Sequence, residues 1–194
     1  MAYKSLIEET IKNLNQNGFE ACFCQTVKEA VEKVLSLIPS GASVGFGGSM
    51  SCVDSGLLDR VRSGSYKVID REKAGDSAER RALMKKCLTA DVFLTSFNAV
   101  SKNGSVFNID GNGNRVAAIT FGPDSVIALV GVNKLCNDEE SAKERVLKTA
   151  AVKNAIRFGK TAEEADSICN IYQKVVRGGN GRIKVVICGE ELGY

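Results

Sequence analysis

Two segments of the chain, "DVFLTS" at 91–96 and "SVIALVGV" at 125–132, are near-continuous apolar runs bounded by polar turns. A strand wetted on one face alternates apolar with polar residues. An unbroken apolar run of this length fits a strand covered on both faces, the environment of a central parallel strand. Such strands need covering helices and crossover connections, and the remaining sequence supplies both.

Helical and strand signals alternate on either side of these runs. Tyr3, Leu6, Ile7, Ile11 and Leu14 form one helical stripe, ended by Asn17-Gly18. "FEACFC" reads as a short buried strand. Thr26 and Glu29 form a capping-box pattern before a core-facing stripe of Val27, Ala30, Val31, Val34, Leu35 and Ile38, which Pro39 and Gly41 close. "ASVGFG" is a strand running into a glycine loop, "SCVDSGLLDRV" the helix after it, and "YKVID" the next strand. "DSAERRALMKKCL" is a helix opened by Asp76, and "KNGS" is a hairpin-type turn leading to a short strand, "SVFN". "NDEESAKERVLKTAAVKNAIRFG" is a long helix, acidic at its start and basic toward its end, as suits the helix dipole. "EEADSICNIYQKVV" reads as a further helix and "RIKVVICG" as a last strand. The expected architecture is one α/β domain over residues 1–194, an open, mostly parallel sheet with helices on both faces. Residues 1–38 are read as a helical and strand decoration packed on it.

Composition excludes several function classes. A net charge of +3, dispersed among alternating acids and bases, does not make a nucleic-acid footprint. The N-terminal segment lacks an apolar signal region and no run reaches membrane-span length, so a cytoplasmic protein is expected. The seven Cys are scattered without a C-x-x-C, which points to reduced thiols used as small apolar filler and to no metal site. The chain has no His. Acid–base chemistry would have to come from Asp, Glu, Lys, Tyr or Cys.

Ligands of open α/β sheets bind at the carboxyl ends of strands, which singles out three loops. "GFGGSM", Gly45 to Met50, offers close backbone approach at Gly47 and Gly48 and donors at Ser49, although it is neither a Walker A loop nor a complete G-x-G-x-x-G. A tight turn that needs glycine for its geometry explains it equally well. "NIDGNGNRVAA" precedes a helix that Asn112 or Asn114 can cap, yet one cap needs one side chain. Asn108, Asp110, Asn112 and Asn114 together exceed that need and point to a ligand. "GVNKLCNDEE" places Asn133 and Lys134 just past a buried strand, where Lys134 is an anion partner or an idle surface charge.

Four segments, "VGFGGSM", "ADVFLTSFNAVSKNGSVFNIDGNGNRVAAITFGP", "VGVNK" and "GRIKVVICGEELGY", resemble the lactate-utilization protein C family, the LUD domain, in order from about residue 40 onward. The resemblance implies a fold like that of ribose-phosphate isomerases and CoA-transferases. It also implies a role in bacterial oxidation of L-lactate to pyruvate beside iron–sulfur oxidoreductase partners. A looser likeness links "TSFNAVSKNGSVFN" and "GNGNRVAA" to sugar-phosphate isomerases, whose turn carries a catalytic Asp where this chain has Asn98. An amide is no general base, and no Glu matches the CoA-transferase nucleophile. Many LUD members also carry a Cys-rich insertion before "ICN", of which only Cys169 remains here. One thiolate cannot hold a cluster.

The expectation is a small-anion pocket formed by Gly47, Gly48, Ser49, Asn98, Asn108, Asn112, Gly113, Asn114, Arg115, Asn133 and Lys134. Asp110 is the candidate base, and no cofactor or metal is assigned. No flavin, haem or cluster motif is recognisable, which favours an accessory or metabolite-binding component of lactate oxidation. The alternative is an isomerase or acyl/CoA-transferase-like enzyme on a phosphorylated or CoA-linked metabolite. Expected partners are a small anionic metabolite and iron–sulfur proteins, with no nucleic acid or membrane and with homo-oligomerisation left open.

Overall fold

The structure is a computed structural model that describes residues 2–194. The side chain of Tyr3, placed above on the first helical stripe, lies outside the described residues. Helix α1 (Ala2–Gln16) seats Leu14 in the core, with Leu6, Ile7 and Ile11 packed on it. Strand β1 (Glu20–Cys24) and helix α2 (Val27–Ser36) follow. Thr26 caps α2 through the full capping box with Glu29, and Ala30, Val31 and Val34 are buried. Strand β2 (Ser43–Phe46) runs into the glycine loop. The helix expected after it is two short ones, α3 (Met50–Asp54) and α4 (Leu57–Arg62), because Ser55-Gly56 interrupts the backbone ladder. Next come β3 (Lys67–Ile69), a 3₁₀ turn at Arg71–Lys73, and α5 (Ser77–Lys86) with Asp76 as its cap.

Strand β4 (Val92–Thr95) is fully buried, as its apolar run requires. The "KNGS" turn joins β5 (Ala99–Ser101) to β6 (Val106–Asp110) as an antiparallel pair. Helix α6 (Asn114–Phe121) leads to β7 (Ser125–Gly131), a 3₁₀ turn at Val132–Lys134 and β8 (Leu135–Cys136). The long helix is continuous in chain direction but changes pitch. It comprises α7 (Glu139–Arg145), a π-helical stretch at Val146–Ala151 and α8 (Val152–Arg157). The last segment expected to be helical is instead a four-residue helix, α9 (Ala165–Ile168), and a strand, β9 (Ile171–Val175), before β10 (Ile183–Cys188). Its β-branched and aromatic residues pair with β6, and that long-range pairing outweighs local helix preference.

Six strands form an open, all-parallel sheet in the order β1-β10-β7-β4-β2-β3. Apolar clusters cover both faces: Phe93, Val126, Ala128 and Val185 lie in one, and Val44, Leu94, Ile127 and Leu129 in the other. Strand β1 holds an edge, paired only with β10, and is half exposed where the sequence suggested burial. Of a second, mixed sheet, β8-β5-β6-β9, the sequence suggested only the hairpin turn between β5 and β6 and the short strand after it. This sheet packs against the π-helical stretch through Phe107, Ile109, Val146 and Ala151. Among the described residues no helix is long and apolar enough to cross a membrane, and all seven cysteines are free thiols.

Candidate functional site

Of the three loops singled out in the sequence, one follows β6 in the second sheet, and the other two leave β2 and β7, which flank β4 in the parallel sheet. At roughly 4.8 Å between strands, they meet within about 10 Å. The second sheet rises opposite them and carries the loop that follows β6. Between the two sheets lies a cavity of about 410 Å³.

Gly48, Ser49, Asn98, Asp110, Asn112, Asn114, Arg115 and Lys134 line this cavity. Four other expected ligand residues do not. Gly47 sits behind the wall, with its N–H on Leu94 O. Asn108 is fully buried and donates to Gln173 Oε1 at 3.0 Å, and Gln173 in turn donates to Thr120 Oγ1 and Val116 O on α6. Gly113 takes the left-handed conformation (φ +76°) that starts α6. Asn133 binds the segment after β10, donating to Gly193 O and accepting from Leu192 N, each at 3.2 Å.

The start of α6 is not capped by Asn112 or Asn114. Gly113 is the N-cap residue and supplies no side chain, so Asp110 serves from β6. Its Oδ2 accepts from Arg115 N (3.0 Å) and Val116 N (3.4 Å), and its Oδ1 accepts from Gly111 N (3.0 Å). An anion at a helix N-terminus gains from both the free N–H groups and the dipole. The same turn aims Arg115 across the cavity. Its Nη2 donates to Asn98 Oδ1 at 2.9 Å and to Ile109 O, while Asn98 Oδ1 also accepts from Ile109 N at 3.0 Å.

Lys134 is only 2% exposed. Its Nζ donates to Ser51 Oγ at 2.7 Å and Ser96 Oγ at 3.1 Å, and among the described residues it forms no ion pair. Burial, reinforced by the positive charges of Arg145 and Arg115, lowers its pKa from the ordinary lysine value to about 7.

The structure adds three arginines that sequence reasoning missed: Arg71, Arg80 and Arg157. Arg71 is 7% exposed, and its Nε has no hydrogen-bond partner among the described residues. The neighbouring carboxylate, Asp70, is committed to Arg62 and to Glu72 N, so Arg71 points inward with only a 3.4 Å contact from Nη1 to Met84 Sδ. Burial and the nearby Arg80 lower its pKa. Gly48 makes room for it, because a Cβ there would sit 2.6 Å from Arg71 Nη2. Arg157 lies one side of the opening with its guanidinium 4.8 Å from the Phe158 ring centroid. Ala150, Asn154 and Arg157 recur at helical spacing and share one cavity-facing stripe, the only sequence signal that pointed to Arg157. Arg71 sits in a short 3₁₀ turn beyond β3, where nothing local marks it. Tyr194 closes another side, its hydroxyl 3.3 Å from Asn154 Oδ1.

The cavity thus gathers four arginines and a lysine around a single carboxylate, Asp110. Arg71 and Lys134 are buried and Arg115 partly so, while Arg80 and Arg157 are exposed at the cavity mouth. Buried cations without acid partners favour occupation by an anion. No group of three or more His, Cys, Asp or Glu side chains gathers as a metal site among the described residues.

A fold of this class, an open parallel α/β sheet with its loops gathered at the strand carboxyl ends, is shared with a solved structure. That structure is a DUF162 family protein from Deinococcus radiodurans. The two superpose with a TM-score of 0.57 at 14% identity, covering 97% of this chain and 99% of the other. No curated protein matches the chain in sequence. The LUD domain profile matches residues 7–188, and the chain belongs to the LUD domain family.

Proposed function

We propose that the cavity binds a small anionic metabolite through a carboxylate or phosphate, and that the protein is an accessory, metabolite-binding component of L-lactate oxidation to pyruvate. The observation that carries the anion reading is the charge balance of the cavity. Arg71, Arg80, Arg115, Arg157 and Lys134 face one carboxylate, and that carboxylate is already engaged by three backbone N–H groups. Arg115 is the principal anion partner, since its guanidinium is held by Asn98 and Ile109 O before any ligand arrives. Asn98 Nδ2, Ser49 and Asn112 supply further polar contacts.

The lactate-oxidation role is supported by membership of the LUD family and rests on nothing else. Electron transfer would then fall to iron–sulfur oxidoreductase partners. Asp110 was the candidate base. As a proton acceptor it would compete with the N–H groups it now holds, so its work in this proposal is to fix Arg115. An isomerase or transferase acting on a phosphorylated or CoA-linked metabolite uses the same arginines and is the second reading.

A thermal-shift series tests both. Lactate, pyruvate, inorganic phosphate, a sugar phosphate and a CoA ester are each added to the purified chain. At least one is expected to raise Tm, by the amount that ligand excess over Kd dictates. Arg115→Ala should abolish that rise. If no anion moves Tm, the binding proposal is wrong. A shift with the sugar phosphate or CoA ester alone favours the second reading.

A further inference from the structure

Lys134 stands apart from the arginines. A surface lysine keeps its charge in water, and a buried one is usually paired with a carboxylate. This one has neither arrangement. Its Nζ is enclosed, borders the cavity, and meets only the hydroxyls of Ser51 and Ser96, which lie 3.2 Å from each other. Ser51 Oγ also lies 3.1 Å from Leu192 O, so the hydroxyl pair is tied to the segment after β10. The titratable and charged groups facing the amine are Arg115 from α6, Arg145 from α7, and the Cys52 thiol and Asp54 carboxylate from α3. The two arginines share its sign. Desolvation beside other cations is how a lysine is kept as a free amine and hence a nucleophile.

We infer that Lys134 captures the carbonyl carbon of an oxo-anion as an imine, with the ligand's carboxylate or phosphate held by Arg115 and Arg71. The inference rests on the anion-binding reading and adds the ligand's chemical class: an aldehyde or ketone carrying an acidic group. The neutral amine adds its lone pair to the carbonyl carbon, and the carbonyl oxygen takes up a proton to give a carbinolamine. Loss of that hydroxyl as water, with the amine's second proton released, leaves a C=N bond. No oxidant or reductant enters. Ser51 and Ser96 touch the amine throughout and can relay the protons. The lowered pKa of Lys134 leaves about half of it unprotonated at neutral pH, compared with well under one part in a hundred for an ordinary lysine. A lysine that merely satisfied two buried hydroxyls would have no need of a position at the cavity wall.

Reductive trapping on the unmodified full chain tests this. Pyruvate serves as the carboxylate probe and pyridoxal 5′-phosphate as the phosphate probe. Each is incubated with the protein at pH 7 and reduced with borohydride, and peptides are mapped by mass spectrometry. In at least one arm, incorporation at Lys134 should exceed the mean of the exposed lysines by about tenfold or more, following the difference in free amine. The arm that labels identifies the acidic group. Lys134→Met should remove that label while leaving the exposed lysines unchanged, and Arg115→Ala should reduce it. Incorporation at Lys134 no higher than at exposed lysines in both arms overturns the inference, and because that result comes from the unmodified chain it does not depend on a variant folding. The full anion series in the thermal-shift assay separates the two failures. A Tm rise with any of those anions but no imine defeats only the present inference, whereas neither response defeats the anion pocket as well.

Discussion

At the residue scale, the unpaired cations of the cavity set how stability responds to pH. Lys134 loses its proton near pH 7 when folded and near the ordinary lysine value, about 10.4, when unfolded. Below pH 7 both states are protonated and the cost of burying the ammonium is present in full. Between the two values the unfolded state binds more protons, so this residue makes stability rise with pH, by at most about 1.4 kcal/mol per unit. The buried thiols of Cys52 and Cys136, both pushed up to about 11, act in the opposite direction above their ordinary range. The informative quantity is therefore a difference. In denaturant titrations between pH 7 and 9, Lys134→Met should lack the upward slope that the parent chain has relative to it. Parallel curves for the two chains would contradict a neutral amine.

At the element scale, the loops do their work through what they exclude as much as through what they hold. Gly48 leaves open the volume that the Arg71 guanidinium approaches, so Gly48→Ala should displace that side chain and weaken anion binding by about tenfold, the effect of losing one charge-assisted hydrogen bond. Tm without ligand should move little, which calorimetry can check. Asp110→Ala removes the carboxylate that caps α6 from outside the helix and should cost about 1 kcal/mol by urea unfolding. It should also loosen Arg115, whose own N–H is one of the groups released. The π-helical stretch at Val146–Ala151 lies just before Asn154 and Arg157 in the long helix. An extra residue per turn there rotates the following turns about the helix axis, and π segments of this kind are frequent at functional sites.

At the scale of the whole molecule, the cavity is a junction between two sheets. The parallel sheet supplies the loops after β2, β4 and β7, and the mixed sheet supplies the loop after β6 and the segment before β9. A ligand bridging them should tie together parts of the chain that local structure leaves separate. Hydrogen exchange should therefore slow at residues 109–116 and 165–170 when a binding anion is present, with the core of β7 unchanged because it is already protected. Uniform slowing across the chain would indicate general stabilisation instead of closure at the junction. Leu129→Ala, at a fully buried position of β7, should cost about 2–5 kcal/mol without altering which anion binds.

The near-continuous apolar runs at 92–95 and 126–130 pointed by themselves to a covered parallel sheet, because burial on both faces is what tolerates such runs. The capping box at Thr26 and the polar excess around Asp110 were equally legible, since both depend on residues close together in sequence. Asp110 stood out as part of that cluster, but the sequence offered Asn112 or Asn114 as the cap of α6, because a cap reaching in from the preceding strand leaves no fixed spacing to read. The mixed sheet, the strand at Ile171–Val175 and the arginines at 71, 80 and 157 were decided only by tertiary structure. Strand pairing such as Asn108 with Gln173 joins residues far apart in the chain, and local periodicity carries no record of it. The cation cluster was hidden for the same reason: its members come from five separate elements, and their common charge acquires meaning only when folding brings them around one volume.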